Sequence, residues 1–104
     1  MNGTVYVSGQ LSIDPATGKI TPGGIKEQAR QALSNLALVL GGAGLKKEQV
    51  AFCRVCLPDV KDWPELNEVY ADFFGAHKPA RIVVPTNNLY AGCLVEVEAV
   101  ASRN

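Results

Sequence analysis

Only two stretches of this chain repeat apolar side chains at helical spacing, and two helices cover one face of a β-sheet while leaving the other uncovered. The first stretch follows Gly23-Gly24, where Ile25, Ala29, Ala32, Leu33, Leu36, Ala37 and Leu40 form one stripe and Lys26, Glu27, Arg30, Gln31 and Ser34 fill the opposite side. Gly41-Gly42 and Gly44 stop it. This glycine run follows a helix instead of opening one after a strand, so it reads as a C-terminal cap and not as a phosphate cradle. The second stretch opens at Asp62-Trp63-Pro64-Glu65, which reads as a capping box with Pro64 tolerated in the first turn. Leu66, Val69, Tyr70, Phe73 and Phe74 continue it as a buried stripe, and Gly75 ends it.

The rest of the chain favours strands. Thr4 to Ser8 is β-branched and aromatic, and the turn Asp14-Pro15-Ala16-Thr17-Gly18 precedes a hairpin partner at Lys19-Ile20-Thr21. Val50 to Leu57 alternates, with Ala51, Cys53, Val55 and Leu57 on one face and Phe52, Arg54 and Cys56 on the other. Ala80 to Val84 is a further strand. The last, from about Cys93 to Ala101, sets Val95, Val97, Ala99 and Ala101 against Leu94, Glu96, Glu98 and Val100. The expected fold is α+β: a five-stranded sheet with both helices on one face. The bare face would expose Leu94, Val100 and part of Ile82-Val83-Val84, and such patches mark interfaces, so an obligate homo-oligomer is expected. Glu96 and Glu98 share that face and need partners or a function.

A chain of 104 residues suits one domain, 1–104. Ten basic and ten acidic residues cancel, and Lys46-Lys47 is followed at once by Glu48, so the basic stripe of a nucleic-acid or membrane-surface protein is missing. No apolar run approaches the ~18–20 residues that span a bilayer. Met1-Asn2-Gly3-Thr4 lacks the features of a secretory signal, and three cysteines are an odd count. A cytoplasmic protein with reduced thiols is the economical expectation.

Among the residues with chemical potential, Cys53 and Cys56 have redox-motif spacing but lie in a strand, where a separation of three sends them to opposite faces. With Cys93 and one histidine they offer no second close pair for zinc, so buried, inert thiols and no metal are expected. His77 reads as a solvated loop histidine. Arg81 differs, because it enters an apolar strand between Pro79-Ala80 and Ile82-Val83-Val84. Its planar fork suits a carboxylate, either that of Glu96 or Glu98 on a neighbouring strand or that of a ligand.

Tyr6-Val7-Ser8-Gly9-Gln10, the helix Glu27 to Leu36, the segment Asn67-Glu68-Val69-Tyr70-Ala71-Asp72-Phe73-Phe74, the tripeptide Pro79-Ala80-Arg81 and the ending Val95-Glu96-Val97-Glu98-Ala99 together resemble the RidA/YjgF family of reactive-intermediate deaminases. The resemblance runs in order over nearly the whole chain. It implies a chorismate-mutase-like α+β subunit, a homotrimer with a pocket at each subunit interface, and hydrolysis of 2-aminoacrylate, 2-iminobutanoate or 2-iminopropanoate to a 2-keto acid and ammonia without a cofactor. By position it also implies that Arg81 binds the substrate carboxylate, that Glu96 handles the attacking water, and that Ser8 and Asn67 line the pocket. The family's usual first strand, with its Gly-Pro-Tyr segment, has no counterpart ahead of Tyr6. Its Leu-Pro-x-Gly loop reads Leu89-Tyr90-Ala91-Gly92, and Val83 stands where a small residue is common. The alternatives are a non-catalytic trimeric module that binds small carboxylates and, disfavoured by the zero net charge, an endoribonuclease.

Overall fold

The computed structural model describes residues 3–103. Four strands, β1 (Thr4–Leu11), β2 (Val50–Leu57), β3 (Ala80–Pro85) and β4 (Glu96–Ser102), form one mixed sheet in the order β1-β4-β2-β3. β4 is antiparallel to both of its neighbours, and β2 runs parallel to β3. The expected hairpin partner contributes one isolated bridge, Ile13 to Ile20, so the sheet has four strands instead of five. Gly18, at φ 72°, closes the Asp14–Lys19 turn, and the chain then leaves directly for the first helix.

The helices are α1 (Ile25–Gly42) and α2 (Trp63–Phe74). Ile25, Gln28, Ala29, Ala32, Leu33, Leu36 and Leu40 are the buried side of α1, and Leu66, Val69, Tyr70 and Phe74 that of α2. All of these but the polar Gln28 share one core with Cys53, Val55, Leu57, Val95, Val97, Ala99 and Ala101 of the sheet region. Both helices therefore cover one face, as the two stripes require. On the other side Tyr6 is 72% and Ile82 49% exposed, while Phe52 and Val100 are half-buried. No helix of the described residues is long and apolar enough to cross a membrane.

Both helix boundaries have local causes. At the end of α1 the Leu45 amide donates to the Leu40 carbonyl at 2.8 Å and the Gly44 amide to that of Gly41 at 3.0 Å, with Gly44 at φ 76°, the left-handed C-terminal cap that the glycine run suggests. At its start the Glu27 carboxylate accepts from the Gly24 amide at 2.8 Å, which holds its pKa below the usual glutamate range. The capping box of α2 does not form. Asp62 makes no side-chain cap, a 3₁₀ turn (Val60–Asp62) leads into the helix, and Asp59 accepts from the Lys61 amide instead. Burial, followed by the charges of Asp59 and Glu65, pushes the Asp62 carboxyl upward.

Two extra residues break the strand alternation. Between Val50 and Phe52, β2 advances two residues while β4 advances one, so Ala51 is exposed and Val50 is buried in the place expected for it. A second bulge lies between Val7 and Gln10 of β1, at Ser8-Gly9. It turns Ser12 inward, where its hydroxyl donates to Gln28 Oε1 at 2.8 Å. The same oxygen accepts from the Leu94 amide at 2.9 Å, which ties α1 to the approach of β4 through a buried amide.

Candidate active site

Arg81 is the second residue of β3, the edge strand, in register with buried Cys53 on β2, so its side chain leaves the sheet on the helix-covered face. There Nη1 donates to Asn67 Oδ1 at 2.7 Å, and the guanidinium lies 4.8 Å from the centre of the Tyr70 ring. Asn67 and Tyr70 are three residues apart and so share one side of α2. They line a groove of about 470 Å³ with Phe74, His77, Lys78 and Arg81.

Glu96 opens β4 opposite Cys56 of β2, on the open face of the sheet. Its carboxylate rests against Gly9: a Cβ at that position would stand 2.5 Å from Oε2 and 2.7 Å from Cδ. The absence of a side chain in the β1 bulge is thus what admits the carboxylate. Gly9, Arg54, Cys56, Glu96 and Glu98 surround a small hollow of about 190 Å³. Ser8 lines an adjoining hollow of about 380 Å³ with Tyr6, Phe52, Arg54, Glu98 and Val100.

The expected pairing of Arg81 with Glu96 or Glu98 does not occur. β2 lies between β3 and β4, and Arg81 and the two glutamates leave the sheet on opposite faces. Glu98 pairs instead with Arg54, its direct cross-strand neighbour, and both side chains remain about half exposed. Among the described residues, no carboxylate forms an ion pair with Arg81. The structure therefore brings Arg81 to Asn67 and brings Ser8 near the glutamate strand, but it does not unite the two pairs within one chain.

The remaining candidates resolve differently. Cys53 is buried, Cys56 half-buried on the open face and Cys93 buried, all as free thiols. Burial raises Cys53 and Cys56 above the ordinary thiol range; the charges of Glu96 and Glu98 add to the effect at Cys56. No group of three or more His, Cys, Asp or Glu with metal-site geometry occurs among the described residues. His77 is not a solvated loop residue. Its Nε2 lies 2.7 Å from the Val50 carbonyl oxygen and its ring packs on Phe74, which latches the α2–β3 turn to the start of β2.

Sequence reasoning did not single out Gly9, Arg54 or Tyr70. An isolated glycine inside a strand pattern signals a bulge or a close approach, and that signal was available at Gly9. Arg54 had none, because its partner depends on strand order.

The family described as Endoribonuclease L-PSP matches residues 1–103. A RutC family protein of Pyrococcus horikoshii is 43% identical over 97 residues, covering 93% of this chain and 77% of that protein. The 2-iminobutanoate/2-iminopropanoate deaminase of Bos taurus is 42% identical over 98 residues, covering 94% of this chain and 72% of its own length. The crystal structure of E. coli TdcF with bound serine superposes with a TM-score of 0.94 at 34% identity, covering 100% of this chain and 84% of that one. A family match over almost every residue, joined to relatives above 40% identity, makes this chain a member of the RidA/YjgF family, the endoribonuclease L-PSP group.

Proposed function

We propose that this protein hydrolyses reactive 2-imino acids and their enamine tautomers, among them 2-aminoacrylate, 2-iminobutanoate and 2-iminopropanoate, to 2-keto acids and ammonia. The observation that carries the reading is the state of Arg81: it is oriented by Asn67, stacked on Tyr70 and without a carboxylate partner among the described residues. A planar fork held in this way suits a substrate carboxylate, which it would grip by two parallel N–H···O bonds. The deaminase name of the Bos taurus relative and the serine bound to TdcF agree with a small amino-acid-like ligand.

In this mechanism Arg81 anchors the carboxylate and leaves the imine carbon facing Glu96. Glu96 accepts a proton from water as the oxygen bonds to that carbon, and the nitrogen takes up a proton. Glu96 hands its proton to the amino group of the resulting carbinolamine, the carbon–nitrogen bond breaks as ammonia leaves, and loss of the hydroxyl proton to solvent gives the keto acid. An imine is already electrophilic, so positioning and proton transfer supply what the reaction needs. Ser8, on the same open face, lines the mouth of the site.

The reading requires a second subunit. Arg81 and Glu96 lie on opposite faces of one chain, so the Arg81 groove of one subunit must meet the Glu96 face of the next. A homotrimer with three such interfaces also covers Tyr6, Phe52 and Val100. Ammonia release from freshly generated 2-iminobutanoate tests the activity, with Arg81→Ala as the control. Wild-type protein that binds small 2-keto or 2-amino acids but releases no ammonia above the buffer rate would establish the non-catalytic binding module instead. A monomer by light scattering at assay concentration would remove the composite site.

A further inference from the structure

Tyr70 lies on the core side of α2 and is 8% exposed, yet it is not simply filler. The Arg81 guanidinium lies over its ring at 4.8 Å, while Asn67, one turn back, takes Nη1 in a hydrogen bond of 2.7 Å. An arginine at the edge of a sheet otherwise samples many rotamers, and binding would have to freeze them. Here a negative ring face lies under the centre of the fork, and an amide oxygen meets one of its nitrogens. Two contacts, one to a nitrogen and one to the guanidinium carbon, restrict the group while leaving its remaining N–H donors for a ligand.

Packing, and not the phenol end, keeps the ring in place. Tyr70 Oη is buried without a hydrogen-bond partner of standard geometry among the described residues, and its neighbour is the Cys53 thiol, a weak partner. Phe74 packs against the ring at 4.8 Å between centroids, and Phe74 in turn meets His77, which is held to the Val50 carbonyl. The ring is wedged between β2 and the helix end.

We propose that Tyr70 is the positioning residue of the substrate-carboxylate site, its ring face pre-setting the Arg81 guanidinium so that little side-chain ordering remains to be done on binding. The inference rests on the reading of Arg81 as the carboxylate anchor. A positioning role acts on ground state and transition state alike, because the carboxylate does not change during hydrolysis, so it is read in KM and not in kcat.

The test is a series at position 70: Tyr70→Phe, Tyr70→Leu, and phenylalanines carrying one, three and five ring fluorines, assayed on 2-iminobutanoate beside Arg81→Ala. Fluorination weakens the negative ring face with little change of shape, so it separates attraction from packing even where Tyr70→Leu folds poorly. The expected result is a KM that climbs with fluorine number and reaches about 2- to 12-fold above wild type, the equivalent of ordering one long side chain, with kcat held. Tyr70→Phe, which keeps the ring, restores KM relative to Tyr70→Leu. A flat KM across the fluorinated series in folded protein, with Arg81→Ala raising KM, overturns the role of Tyr70 and leaves the carboxylate anchor standing. If Arg81→Ala itself leaves KM unchanged, the anchor and the inference fall together.

Discussion

Gly9→Ala is the most discriminating perturbation of the proposed water-handling group, because it moves Glu96 without altering its chemistry. Gly9 does not occupy the left-handed region of backbone space, so alanine costs little there in conformation. The obstacle is the Glu96 carboxylate, whose Oε2 would stand 2.5 Å and Cδ 2.7 Å from the new Cβ. Ordinary contact between non-bonded heavy atoms needs ~3.5 Å, so the carboxylate must withdraw by about 1 Å. A displacement of that size at a reacting group costs about 10²-fold in rate, and removal of a general base ~10²–10⁴-fold. Gly9→Ala should therefore lower kcat for 2-iminobutanoate by about 10²-fold, approaching Glu96→Gln, with KM and thermal stability little changed. A double-mutant cycle completes the test: if Gly9 acts only through Glu96, adding Gly9→Ala to Glu96→Gln costs almost nothing more. Wild-type turnover in Gly9→Ala, or losses that multiply in the double variant, would refute the argument.

Glu98→Gln breaks a half-exposed pair with Arg54, worth about 0–1 kcal/mol, so turnover should stay far above that of Glu96→Gln, and light scattering should register any loss as weaker assembly. Tyr70→Phe removes a buried hydroxyl that has no partner of standard geometry, so its melting temperature should equal or exceed that of wild type, whereas a drop of several degrees would reveal a hydrogen bond. Cys56, raised first by burial and then by Glu96 and Glu98, should react sluggishly with a thiol reagent at neutral pH and faster as pH rises through its elevated pKa; fast labelling at pH 7 would contradict that environment. Glu27, whose folded pKa is lowered chiefly by its bond from the Gly24 amide, stabilises the fold fully above the unfolded glutamate value and loses that contribution as pH falls through the folded one. Glu27→Ala should therefore narrow the stability gap to wild type in acid-unfolding curves below about pH 4 and widen it near neutrality.

Much of this architecture is written in local periodicity. The alternation from Val95 to Ala101 predicts its burial correctly because a strand repeats every two residues, and the stripe from Ile25 to Leu40 does so because a helix repeats every 3.6, although Ala37 turns out exposed. Burial of both stripes on one face follows from counting: two helices cannot clothe two faces. Arg81 stood out from its local sequence, since a guanidinium beside Ile82-Val83-Val84 calls for an anionic companion, whereas within the chain it meets the Asn67 amide oxygen and the Tyr70 ring.

Which companion it has is a matter of strand order, and no local pattern encodes that. Because β2 separates β3 from β4, Arg81 meets α2, and Glu98 meets Arg54. The same dependence on distant segments explains the other departures. One extra residue at Ala51 and one at Ser8-Gly9 shift the register, and a period-two reading carries no memory of an insertion until the partner strand is known. His77 looked solvated because its sequence neighbours are polar, but the return of the chain sets it beside the Val50 carbonyl. Gln28, outside the apolar stripe, is a buried hub, because Ser12 and the Leu94 amide arrive from elsewhere in the chain. Local sequence determined which residues face inward wherever an element keeps its regular period, since that follows from the geometry of the element, and lost them where a bulge shifts the register. Tertiary structure decided which polar groups meet, since a hydrogen bond or ion pair depends on ångström-scale approach between segments whose order in the sheet the local pattern does not contain.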